Sequence, residues 1–299
     1  MIRSEIVEAL KPHVDFITPC PETDIGLGVP RHPVRVLRSK RGLKLIQPST
    51  DLEFTRDMKA FTQEFLNRQM DIDGFILKSK SPSCGIGNVK IYGDMKNMAN
   101  FSKGDGFFGG EVLKRFQMKA VEDELRLLNP KIRDHFLKNI FTFAAFREVK
   151  EGGRIKELID FQAENKLLLL SYSQKEMRYL GKTVGYHKKS DEGQIFKDYQ
   201  NHLELAFTKG PTFRSNINVL QHAFGYVSKK LSKEERTYFL DSLELYREDR
   251  VPLQSCISML LSWIIRFNVD YLIQQSFFHP YPQDLILEYE QDRRRKYWE

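Results

Sequence analysis

Two cysteines of this chain stand in matching contexts. Cys20 lies in TPCPETDIGLGVPR and Cys84 in LKSKSPSCGIG, and each follows a short apolar run, HVDFIT in one case and GFILK in the other. Read as strands, these runs carry both thiols to the carboxyl ends of a sheet, where open α/β sheets bind ligands. Pro19, Pro21 and Pro82 fix backbone angles around the thiols, while neighbouring glycines allow close backbone approach. Such loops present a thiolate to a metal or cluster without crowding it. Each cysteine taken alone also reads as a small buried residue, as most free cysteines are. Two thiolates fall short of the three or four ligands that zinc sites and iron–sulfur clusters take.

Other chemistry-bearing groups surround the pair. Glu22 follows Cys20 by two residues, and Ser81 and Ser83 flank Pro82. A carboxylate beside a metal-bound group can move a proton, and a hydroxyl can orient a substrate. The same residues also read as a loop carboxylate and turn serines. Gly104, Gly106, Gly109 and Gly110 in KGDGFFGG can cradle a phosphate or form a mobile loop. Cys256 sits in an apolar helical stretch and reads as core. A hydrolase built on Cys84 lacks a pattern of His, Asp or Asn to supply its base.

The elements that must position these groups fall into two halves. From Met1 to about Phe146, helices alternate with short apolar strands: SEIVEALKP as a helix with Ser4 as N-cap, then HVDFIT, a helix around PSTDLEFTRDMKAFTQEFLNRQM, then GFILK and VKIYG. That alternation predicts an α/β domain with a mainly parallel, Rossmann-like sheet. Such domains open on a strand and this chain opens on a helix, so the expected sheet lacks its first strand. After the polar EVKEGGR hinge the pattern turns helical throughout. Ile217, Leu220, Phe224, Val227 and Leu231 recur at spacings of three and four, an amphipathic stripe. The expected organisation is residues 1–147 as an α/β domain and 154–299 as an all-α domain.

Composition sets further bounds. The 299 residues are 41% hydrophobic and 29% charged, values of a folded chain. No apolar run approaches the roughly 20 residues of a membrane span, and the N-terminus lacks the apolar core of an export signal, so a cytoplasmic protein is expected. Three widely spaced cysteines exclude a disulfide framework. The net charge of +7 is uneven: residues 1–150 hold 25 Lys and Arg against 19 Asp and Glu. Arg31, Arg35, Arg38, Lys40, Arg41 and Lys44 carry much of that excess, which favours an anionic partner near the first domain.

These motifs resemble a known family. CPETDIGLGVPRHPVRVL, GFILKSKSPSCGIGNVKIY, GDGFFGGEVLKRF and VEDELRLLNPKIRDHFL look like the TudS (YbbK-type) thiouracil desulfidases. NVLQHAFGYVSKKLS, YREDRVPL and FFHPYPQDL in the second half are similar to the YbgA-type domain, and the fused form resembles tRNA 4-thiouridine desulfidases. The resemblance implies a [4Fe-4S] cluster held by three cysteines, with an open iron that takes sulfur from a thiolated pyrimidine and releases sulfide. It assigns Cys20 and Cys84 as two ligands, Glu22 as the catalytic carboxylate, and Ser81 or Ser83 as the catalytic hydroxyl. The family's first cysteine, in a CLLG-type loop, has no counterpart in this sequence, so the third ligand is absent from the chain.

The implied partner is tRNA or a thiolated pyrimidine nucleotide. Arg31, Arg35, Lys188, Lys189, Arg214 and His222 are the candidate RNA contacts, with Asn218, Gln221, Gly225 and Lys229 on the polar face of one helix and a basic tail at Arg293–Lys296. The competing expectation is a noncatalytic RNA-binding protein whose cluster site is degenerate or truncated.

Overall fold

The structure, a computed structural model, describes residues 2, 4–69, 71–93, 99–186 and 191–286. It divides into two compact units, one running up to Ile140 and rejoined by the segment from Pro282, the other Phe141–Tyr281.

In the first unit, α1 (Glu5–Leu10) forms where expected, with Ser4 at its N-cap position but no side-chain capping bond. Five strands form one sheet: β1 (Arg35–Ser39), β2 (Gly42–Gln47), β3 (Leu52–Glu53), β5 (Val89–Tyr92) and β6 (Phe101–Gly104), in the order β3-β2-β1-β5-β6. Between them in sequence come α2 (Thr55–Asn67) and β4 (Gly74–Leu77); after them come α3 (Phe107–Arg115) and β7 (Ala120–Asp123). The pair β4–β7 is a separate two-stranded parallel sheet.

The large sheet is mostly antiparallel, which corrects the mainly parallel, Rossmann-like arrangement expected from sequence. Only β1–β5 is parallel within it. The cause is connection length. Lys40 and Arg41 form a tight turn between β1 and β2, and a turn that short can join only antiparallel neighbours. HVDFIT is a second correction. Its first amides, of His13 and Val14, bond back to the Leu10 carbonyl, and the segment then runs without strand pairing, leaving Ile17 55% exposed. Alternating apolar residues make a strand only where a neighbour takes the ladder bonds.

Helix α2 binds two cores together. Val36, Leu45, Val89 and Ile91, on one face of the large sheet, close over Met58. Leu66 from the end of the helix joins Phe75, Leu77, Phe108 and Val112, with Cys84 and Ile86 packed at the margin. The Phe61, Phe65 and Phe108 rings lie 5.7–6.3 Å apart between centroids. This second core fixes the base on which the SPSCG loop stands.

Helix α4 (Pro130–Gly152) runs through the EVKEG segment read as a hinge and stops at Gly153. Among the described residues eight more α-helices follow: α5 (Ile155–Glu164), α6 (Lys166–Tyr172), α7 (Gln174–Gly185), α8 (Glu192–Ala206), α9 (Phe213–Val227), α10 (Lys233–Arg247), α11 (Leu253–Arg266) and α12 (Asp270–Ile273). The expected all-α half is thus present. Two long stretches of this helical pattern are each broken. Asn165 divides α5 from α6, its amide donating to the Phe161 carbonyl (2.9 Å) and accepting from Ser276 (2.7 Å). Asn268, at φ 49°, turns the chain between α11 and α12. The α9 stripe is core: Leu220, Phe224, Val227 and Leu231 are buried, with Ile217 packed beside them. Caps at Ser173, Asp191, Thr212 and Ser232 set the starts of α7, α8, α9 and α10. No described helix is long and apolar enough to cross a membrane.

Candidate active site

Cys20 opens a short turn of π-type helix, Thr23–Leu27. The Cys20 carbonyl accepts from the amides of Thr23 and Asp24, both at 2.9 Å, and the Asp24 carboxylate accepts from the Cys20 amide at 3.2 Å. This reciprocal clasp leaves the thiol exposed. The SPSCG loop is held by a different device. Ser81 Oγ accepts from the amides of Ser83 (3.2 Å) and Cys84 (3.1 Å), and the Ser81 carbonyl accepts from the Gly85 amide at 2.8 Å.

Glu22 joins the two loops. Its Oε1 accepts from Ser83 Oγ at 2.8 Å and from Ser81 Oγ at 3.3 Å. Its Oε2 accepts from Arg31 Nη2 at 2.6 Å. Arg31 also donates to the Gly28 carbonyl (2.9 Å), to Thr23 Oγ1 (3.2 Å) and to Cys20 Sγ (3.5 Å). Thr23 Oγ1 in turn donates to Cys20 Sγ at 3.1 Å. One guanidinium therefore ties carboxylate, thiol and turn. The two serines differ in access: Ser83 is fully buried, while Ser81 is half-buried.

The two thiols are shifted in opposite directions. Partial desolvation pulls the Cys20 thiol upward, but the Thr23 hydroxyl and amide and the Arg31 guanidinium outweigh it and leave Cys20 below its ordinary value. Cys84 is pushed up to about 12 by burial, with the negative charges of Glu22 and Cys20 adding to it. Thiolate character favours nucleophilic and metal-binding chemistry at Cys20.

The KGDGFFGG segment has a role that neither sequence reading anticipated. It supplies the first turn of α3, and its amides are spent on the thiol loop. Gly106 donates to the Gly85 carbonyl (2.8 Å), Phe107 to Pro82 (3.2 Å), and Phe108 and Gly109 to Ser83 (2.9 and 3.0 Å). A Cβ on Gly106 would stand 2.4 Å from the Ser83 oxygen, and one on Gly109 would stand 2.4 Å from the Cys84 oxygen. These glycines let a helix N-terminus sit against the loop carbonyls. Their amides are not open to a phosphate. The paired glycines three residues apart were the signal in the sequence; their target was invisible there.

A second anchor also escaped the sequence reading. Glu124, buried at 3% exposure, accepts from the Ser79 amide at 2.7 Å and pairs with Lys78. Asn88 bridges Ser79 (2.9 Å) and Asp123 (3.2 Å), and Asp105 accepts from the Gly87 amide at 2.6 Å.

Of the expected RNA contacts, Arg31 lies at the carboxylate just described, and Arg35 lies on β1 with its guanidinium 5.2 Å from the Tyr92 ring centre. Arg214 and His222 are exposed on α9, as are Gln221 and Gly225, and Lys229 is exposed in the short turn Ser228–Lys230 that follows it. Lys188, Lys189 and the basic segment 293–296 lie outside the described residues.

The donor set does not complete a three-thiolate cluster. Cys20 and Cys84 provide two thiols. Cys256, the third of the sequence, is buried in the other unit against the Ser242 carbonyl. Among the described residues no group of three or more His, Cys, Asp or Glu is placed to hold a metal ion.

Comparison with known proteins gives two matches to family models. Residues 1–124 match the 2-thiouracil desulfurase family, and residues 166–282 match a family described as protein of unknown function (DUF1722). Among curated proteins, the uncharacterized protein YbgA of Escherichia coli (strain K12) is 25% identical over 158 residues, 52% of this chain and 94% of its own. Among solved structures, a [4Fe-4S]-dependent thiouracil desulfidase TudS is 27% identical, covering 42% of this chain and 78% of its own, with a TM-score of 0.33.

Proposed function

Because the chain joins an N-terminal 2-thiouracil desulfurase domain to a C-terminal DUF1722 domain, we propose that it removes sulfur from a thiolated pyrimidine, such as 4-thiouridine in tRNA or a thiouracil-type nucleotide. The net reaction is redox-neutral: thiocarbonyl plus water gives carbonyl plus hydrogen sulfide. A new carbon–oxygen bond forms, the carbon–sulfur bond breaks, and both water protons end on sulfur.

The observation that carries this reading is the convergence of Cys20, Glu22 and the SPSCG loop on one carboxylate. With Oε2 held by Arg31, Glu22 presents Oε1 as the proton acceptor for an attacking water, a role worth about 10²–10⁴-fold in rate. Ser81, the less buried of the two serines, is placed to orient the pyrimidine, while Ser83 holds the carboxylate from the buried side. The resemblance implies a [4Fe-4S] cluster as sulfur acceptor, and two thiols alone do not fit it.

The test uses the full chain under anaerobic conditions, with iron and sulfide supplied, and with 2-thiouracil, 4-thiouridine and thiolated tRNA as separate substrates. Sulfide release with matching loss of thiocarbonyl supports the reading. No release from any of the three overturns it.

The shortfall of metal ligands favours a second reading, an RNA-binding protein without desulfidase activity. Binding of tRNA with a steep salt dependence, together with no sulfide release, would favour this alternative.

A further inference from the structure

The basic run from Arg35 to Lys44 plays no part in the site above, yet it folds into the β1–β2 hairpin. Strand register shows where it goes. Val36, Leu45 and Ile91 line the buried face, so their neighbours in each strand line the opposite one. On that opposite face Leu37 pairs with Lys44 and with Tyr92, Tyr92 pairs with Phe101, and Lys90 pairs with Lys103. Lys90, Phe101 and Lys103 are exposed, with Phe101 at 42%.

This face mixes rings and cations in direct contact. Tyr92 and Phe101 lie 6.1 Å apart between ring centres. The Arg35 guanidinium stands 5.2 Å from the Tyr92 ring, and Lys90 Nζ stands 4.5 Å from the Phe101 ring. At the β2–β3 side of this face Lys44 pairs with Glu53 at 2.7 Å. An exposed ring, Phe101, beside a half-buried one, Tyr92, edged by positive charge on strands at sheet spacing, matches the spacing and chemistry of unpaired nucleotides. Bases stack on rings and phosphates meet the cations.

We propose that the open face of the five-stranded sheet binds single-stranded RNA, with Phe101 and Tyr92 as the stacking platform and Lys90 and Lys103 as phosphate contacts. The proposal extends the RNA reading of the substrate but does not depend on desulfidation, because an unmodified strand offers the same bases and phosphates. A duplex hides its base faces and is bound less well.

The test measures fluorescence anisotropy of the full chain with a labelled, unmodified single-stranded RNA and with its duplex, over a salt series. The wild type should prefer the single strand. Phe101→Leu, which keeps apolar area and removes the ring, should weaken single-strand binding about tenfold. Lys90→Gln combined with Lys103→Gln should reduce the salt slope by about 1.4, from roughly 0.7 per phosphate contact. Unchanged binding in both variants, equal affinity for duplex, or loss only on Lys229→Gln, just past the end of α9, would overturn the proposal. Because the probe carries no sulfur, either result stands whatever the fate of the desulfidase reading.

Discussion

Glu22 and Ser83 stand 61 residues apart in sequence, and the serine hydroxyl donates to the carboxylate at 2.8 Å. That bond is the point at which two loops become one site. Replacing Glu22 with Gln keeps the shape of the side chain and removes the proton acceptor. Turnover of any thiopyrimidine substrate should fall at least about 100-fold, with the circular dichroism spectrum unchanged. Retained turnover in Glu22→Gln would remove the carboxylate from the mechanism.

Arg31 should matter for both charge and geometry. It holds Glu22 at 2.6 Å while reaching Cys20, and the two side chains of the pair are only 23% and 15% exposed. Arg31→Lys cannot fork between carboxylate, carbonyl and thiol. A loss of about tenfold or more in turnover is expected, with Arg31→Gln worse than Arg31→Lys. Wild-type activity in both variants would mean that charge and fork are both dispensable.

The glycines under the thiol loop offer a test of packing. Gly109→Ala puts a methyl 2.4 Å from the Cys84 carbonyl and 2.7 Å from the Gly85 carbonyl, both backbone atoms with little room to yield. Destabilisation of about 1–3 kcal/mol is expected, together with loss of function. Gly225→Ala, in the last turn of α9 with nothing within 4 Å, should instead stabilise by up to about 1 kcal/mol. Denaturant melts of the two variants compare them directly, and equal midpoints would contradict the clamp.

How far the sequence exposed this site follows from the range of each interaction. Cys20, Glu22, Ser81 and Cys84 were legible because proline, glycine and serine at fixed offsets describe local loops. So were α2, β4 and β5, whose patterns are local as well. The β1–β2 hairpin was not legible, because its charges hid a strand pattern in which only Val36 and Leu45 are fully buried. HVDFIT looked like a strand because apolar alternation says nothing about whether a neighbour exists. The α3 glycines and Glu124 act on carbonyls and amides tens of residues away, and no spacing rule marks such partners.

The two thiols should titrate apart. Cys20 lies below its ordinary value and Cys84 is pushed up to about 12. Iodoacetamide at neutral pH should therefore label Cys20 in the folded chain and leave Cys84 unlabelled, as read by peptide mass. Arg31→Gln should move the Cys20 labelling midpoint to higher pH. Stability carries the opposite sign. A thiol raised on folding keeps its proton after the unfolded chain has lost it, so between about 9 and about 12 the Cys84 contribution falls as pH rises. Cys84→Ala should flatten the alkaline decline in midpoint; an unchanged decline would assign it to other groups.

Cluster retention follows from ligand count. Cys20 and Cys84 supply two thiolates where a cluster with one open iron takes three, and a missing ligand leaves a second iron open to solvent and to loss. After anaerobic reconstitution and desalting, the chain should hold well under one cluster per molecule by iron and sulfide analysis. A small thiol such as 2-mercaptoethanol can occupy the open position, so its presence throughout should raise retention. Cys256→Ala should change neither value, because that thiol is buried in the helical unit against the Ser242 carbonyl. A full complement of iron and sulfide without added thiol would show that a non-cysteine ligand completes the site, and labelling of Cys20 in the loaded protein would then tell whether that residue is a ligand at all.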